Sequence, residues 1–141
     1  MHRAGRWSVV AVVTLGLAVV ACGPGEESFV TTKPPVATVS VDMDSFTMKP
    51  SQATAPKGPV KFIARNIHAK DVHELAVLRI RPDGTKQNAG EVEDLDAGAT
   101  GEIVLDLPAG KYELACLIAK GEAGSLVGHY EAGMHVPFEV R

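Results

Sequence analysis

The chain has 141 residues and a formal net charge of −3, enough for one domain plus an appendage. Few aromatic residues, 14 Gly, 9 Pro and frequent Val favour a small, turn-rich all-β domain over a helical bundle. Removing residues 1–21 deletes Arg3 and Arg6 and leaves 12 basic against 17 acidic residues, a net of −5, which argues against nucleic acid as a partner because that needs basic patches.

Residues 1–21 read as an export signal. Arg3 and Arg6 form a positive start, and Val9 to Ala21 is uncharged and broken only by Thr14 and Gly16. That run is shorter than the ~20 apolar residues that span a bilayer. Val19-Val20-Ala21-Cys22-Gly23 resembles the lipobox of bacterial lipoproteins. The resemblance implies cleavage before Cys22, lipidation of Cys22, and a location at the cell envelope facing the periplasm or the exterior. The alternatives are an uncleaved anchor or an ordinary cleaved signal. Such a compartment is oxidising. With Cys22 lipidated, Cys116 is the only thiol, which calls for a metal or a cap; a Cys22–Cys116 disulfide is the competing reading. Residues 22–35 (Gly, Pro, Glu, Ser and Thr, without apolar periodicity) are expected to be a flexible tether.

From residue 36 to 141 the period is two, the mark of half-buried strands. Val39, Val41 and Met43 share a face, and Phe46 and Met48 continue toward Lys49-Pro50. After a turn at Pro56-Lys57-Gly58-Pro59, Val60, Phe62 and Ala64 line one face. The next strand is expected from about Val72 to Ile80, closed by Arg81-Pro82-Asp83-Gly84. Residues 83–99, with Glu91, Glu93, Asp94 and Asp96, read as an exposed acidic connection, and their spacing is not that of an EF-hand. Ile103, Leu105 and Leu107 alternate, then Tyr112, Leu114 and Cys116, then Met134, Val136, Phe138 and Val140. Pro137 fits an edge or a bulge. Seven or so short strands with these turns predict a Greek-key two-sheet sandwich.

The chemistry-bearing residues gather late in the chain. Cys116, His129 and Met134 lie within one stretch, and His73 opens an upstream apolar run with the parity of Leu75 and Val77. Two imidazoles, one thiolate and a weak axial thioether form the donor set of a blue-copper electron-transfer site. Sulfur favours Cu(I) and imidazole accepts both oxidation states. Strand parity points His73, Cys116 and Met134 inward at strand ends, with His129 supplied by the loop.

Three segments carry a wider resemblance: Asn66 to Leu75, Leu107 to Cys116, and Gly128-His129-Tyr130-Glu131-Ala132-Gly133-Met134. Across about residues 36–141 they resemble the cupredoxin superfamily, in particular plastocyanin/azurin-like and sulfocyanin-like domains. The resemblance implies His73, Cys116, His129 and Met134 as ligands of one type 1-like copper. It departs from the family in one respect: twelve residues separate Cys116 from His129, where two to five are usual. Lengthening a flexible loop from four to twelve residues costs only about 1 kcal/mol, small beside the ten or more that a tight metal site supplies. The insertion does raise Glu122 as a competing ligand.

The expected function is a lipid-anchored, monomeric electron carrier serving redox proteins of the envelope, and not an enzyme. A copper chaperone or sensor is one alternative, and a metal-free interaction module on the same scaffold is another. A zinc site using His68 or His135 with Cys116 and His129 is a third. A Cys116–His129 thiol hydrolase lacks a visible orienting group. A multicopper oxidase would need His pairs that this chain does not have.

Overall fold

Apolar alternation builds two facing sheets over residues 28–141, the part of the chain that the computed structural model describes. The export signal and Cys22 lie outside the described residues. The nine strands are β1 (Ala37–Asp44), β2 (Thr47–Pro50), β3 (Thr54–Ala55), β4 (Gly58–Asn66), β5 (His73–Ile80), β6 (Lys86–Leu95), β7 (Thr100–Leu107), β8 (Gly110–Ala115) and β9 (His135–Val140). One sheet has the order β2-β1-β4-β7, the other β3-β9-β8-β5-β6. Both are mixed, because β1 runs parallel to β4 and β3 parallel to β9. The expected all-β two-sheet sandwich is what forms.

The predicted parity is the parity of the core. Val39, Val41, Met43, Val60, Phe62, Ala64, Leu105 and Leu107 pack inward from the first sheet. Leu75, Val77, Tyr112, Leu114, Phe138 and Val140 meet them from the second. Phe62 and Phe138 join the two layers edge to face, with ring centroids 5.6 Å apart. Such aromatic pairs stabilise beyond their buried area by about 0.5–1.5 kcal/mol. Pro137 is exposed, and β3 pairs only with Glu139 and Val140 beyond it, so the missing N–H interrupts no ladder there.

Three expectations are corrected. Residues 83–99 are not one exposed connection, since Lys86–Leu95 is a ten-residue strand paired with β5. Two register shifts in that pairing break its alternation, which is why the sequence looks irregular. Gly90 belongs to this strand for a packing reason, because a Cβ there would lie 2.5 Å from Cδ2 of Leu105 across the sandwich. The acidic side chains make β6 a charged sheet edge, which discourages pairing with other chains.

The second correction concerns Phe46. The first run does not continue through it but turns back at Ser45, whose φ is 51°, and β2 pairs antiparallel with β1. The third concerns the tether, whose end is not free. Phe29 is buried in the core, its carbonyl accepts from Asp106 N (2.7 Å), and Thr31 N donates to Val104 O (3.0 Å). This arm covers the outer edge of β7, so the folded domain begins before residue 36.

Candidate metal centre

His73 is the first residue of β5, the strand that lies between β8 and β6. Its approach is tied down by Asn66, which is buried at the end of β4. Asn66 Nδ2 donates to the carbonyls of Asp71 (2.7 Å) and Leu95 (2.8 Å), and its Oδ1 accepts from His68 N (3.0 Å). One side chain thus closes the bend from residue 66 to 73. An Asn at a strand end ahead of a polar bend is the sequence signal for such a tie.

Cys116 follows β8 directly, and its backbone N donates to the carbonyl of Met134 (3.0 Å). Met134 N in turn donates to the carbonyl of His129 (3.0 Å), and His129 N donates to that of Ile118 (2.9 Å). The twelve-residue loop is therefore closed at its base by main-chain bonds. Inside it, Glu122–Gly124 forms a 3-10 turn, with Ala123 at φ 47°. Glu122 is exposed and its carboxylate accepts from Ala119 N (2.9 Å), so it is directed to the loop itself and not to the donors. Glu74, beside His73, accepts from Leu117 N (2.7 Å) and fastens the first residue of the insertion to β5.

His73, Cys116, His129 and Met134 are all buried. The donor atoms of His73, Cys116 and His129 lie within 4.8 Å of one another. The Nδ1 atoms of His73 and His129 are 3.3 Å apart, and Cys116 Sγ is 3.3 Å from His129 Nδ1. Ring nitrogens bound ~2.0–2.1 Å from one ion stand about 3.3–3.6 Å apart, so these atoms fit a common cation. Met134 is in the same buried cluster as Cys116. Phe46, which the hairpin turn delivers here, packs edge to face on His129 at 5.3 Å.

The local electrostatics suit a cation. Burial, reinforced by the neighbouring imidazoles of His129 and His68, lowers the pKa of His73 to about 4. Burial also lowers that of His129. Burial raises the Cys116 thiol, against an opposing pull from the backbone N–H groups of Ile118 and Glu74. Both imidazoles are thus held neutral, with lone pairs available, while the thiolate needs a nearby positive charge to form. The outer nitrogens differ: His129 Nε2 is 3.0 Å from Ser125 Oγ, whereas His73 Nε2 is buried without a hydrogen-bond partner among the described residues.

The two remaining candidates stand apart. His68 accepts from Asp71 N at its Nδ1 (2.9 Å), and its ring faces that of His73 edge-on at 5.7 Å. His135 is exposed and stacks on Tyr130 at 4.5 Å. Neither joins the donor group, which contains His73 in addition to Cys116 and His129. The fold brings His73, and not His68 or His135, to Cys116 and His129.

No family model matches the chain, and no curated protein matches it. Solved structures do. One of auracyanin B is 20% identical, with a TM-score of 0.61 over 81% of this chain and 95% of that one. A dithionite-reduced auracyanin from the photosynthetic bacterium Roseiflexus castenholzii is 15% identical, with a TM-score of 0.59 over 77% and 99%. Auracyanin A, described as a "blue" copper protein from the green thermophilic photosynthetic bacterium Chloroflexus aurantiacus, is 17% identical, with a TM-score of 0.51 over 74% and 99%. These likenesses define the class: the domain has the cupredoxin fold, as the sequence resemblance led us to expect. At that distance they define the fold alone.

Proposed function

We propose that this chain is a mononuclear copper protein that carries one electron at a time, anchored by lipidated Cys22 at the outer side of a bacterial membrane. The observation that carries the reading is the buried convergence of three donors on a cupredoxin fold, with His129 Nδ1 3.3 Å from both Cys116 Sγ and His73 Nδ1. His73, Cys116 and His129 would hold the ion, with Met134 as the weak fourth donor. Copper so held supplies a reversible one-electron couple. The chain's own part is to keep water out and to keep the donors still. His73, Cys116 and Met134 have no exposed surface and His129 has 2%, and main-chain bonds link Cys116, Met134, His129 and Ile118 in series. A site that does not rearrange suits electron transfer better than the exchange a chaperone requires.

Titrating the full chain, purified in detergent, with Cu(II) tests this. An intense visible thiolate-to-copper band, absent from Cys116→Ser, together with a reversible one-electron potential, is expected. A folded chain without the band returns the domain to the metal-free interaction reading.

A further inference from the structure

The inserted loop carries a residue that acts on the site. We infer that Ser125 is a positioning residue which locks His129 in the tautomer that turns its lone pair toward Cys116 and His73. A serine hydroxyl has one hydrogen to donate and lone pairs to accept with. Ser125 Oγ lies 2.7 Å from the carbonyl oxygen of Val127, which can only accept, so the hydroxyl hydrogen is placed there. The same Oγ lies 3.0 Å from His129 Nε2 and 3.4 Å from Val127 N, and toward both it can only accept. His129 therefore carries its hydrogen on Nε2. Its Nδ1 is left bare, facing Cys116 Sγ and His73 Nδ1 at 3.3 Å each.

The insertion is what makes this arrangement possible. Ser125 sits nine residues past Cys116, immediately after the 3-10 turn, and is held there by its own N–H to Glu122 O (2.8 Å) and its carbonyl from Gly121 N (2.8 Å). The turn is closed at both ends, so the hydroxyl is presented to the imidazole from a braced support. A second partner of this kind on a ligating histidine fixes ring orientation and raises basicity, and its loss costs about ten- to hundredfold in metal affinity. The purpose of the lock rests on the copper reading; its geometry does not.

Nitrogen-15 NMR of histidine-labelled, metal-free full chain reads the tautomer directly. Wild type and Ser125→Thr are expected to show His129 as one Nε2–H form; threonine suits the extended backbone there (φ −69°, ψ 137°). Ser125→Ala should show a mixture while keeping the wild-type circular dichroism, and chelator competition should show the ten- to hundredfold loss of copper affinity. A wild type with the hydrogen on Nδ1, or an alanine variant matching wild type in both tautomer and affinity, overturns the inference. If the tautomer behaves as stated and no variant takes up copper, the lock stands and the copper reading falls.

Discussion

The two histidines reach one point by different means. His73 is delivered by a strand: β5 lies inside its sheet, Asn66 closes the bend before it, and the outer nitrogen has no partner among the described residues. His129 is delivered by a loop, so its orientation depends on local hydrogen bonds: Ile118 on its backbone, Ser125 on its outer nitrogen, Phe46 against its ring. Packing supplies rigidity on one side, and a braced polar contact substitutes for it on the other. Disturbing the His73 side should therefore cost stability, and disturbing the His129 side should mainly change the site.

The largest expected effect is acid destabilisation of the metal-free protein through His73. Its folded pKa of about 4 lies below the ordinary 6.5, so the unfolded chain binds more protons between those values. Stability must therefore fall as pH drops through that window, by up to about 3 kcal/mol for this group, with buried His129 adding in the same direction. Urea titrations at pH 7 and pH 4.5 measure it, and His73→Leu should flatten the slope; a slope unchanged by that substitution would place the titrating group elsewhere. Next is Asn66→Ala, which leaves the carbonyls of Asp71 and Leu95 without their donor. A loss of roughly 2 kcal/mol is expected in thermal or urea unfolding, and a loss below about 0.5 kcal/mol would mean that the bend holds itself.

On the loop side the numbers shrink. Glu74→Ala removes the acceptor of Leu117 N and should cost about 1 kcal/mol, whereas Glu74→Gln keeps an acceptor and should cost less. Equal losses in the two variants would show that charge, and not the hydrogen bond, matters there. Leu126 is 85% exposed on the insertion, and Leu126→Ser should leave stability within ~0.5 kcal/mol. A larger loss would expose packing that the isolated chain does not show.

Much of this was legible in the sequence. Period-two runs such as Val39/Val41/Met43 and Tyr112/Leu114/Cys116 predicted inward faces because one side of each strand meets the other sheet. The same parity placed His73 and Cys116 inside. The parts that escaped have physical reasons. β6 combines a glycine demanded by Leu105 with acids demanded by an open edge, and together these imitate a loop. The Phe29 arm adds one bridge to an edge, too little for a period to show. Ser125 has no pattern at all, since its role exists only once the insertion has folded back onto the ring.

The Phe29 arm also gives the molecule a polarity. It joins the sandwich where Asp106 and Arg79 lie, with the Arg79 guanidinium 5.8 Å from the Phe29 ring. His73 stands at the other end of β5, six residues and roughly 20 Å away. From Cys22 to Ser28 a fully extended chain spans at most about 20 Å. With Cys22 lipidated as proposed, the Phe29 end of the domain would be the end tethered near the lipid, and the donor cluster would stand at the other end of β5. Any protein exchanging electrons there would have to meet it from the aqueous side.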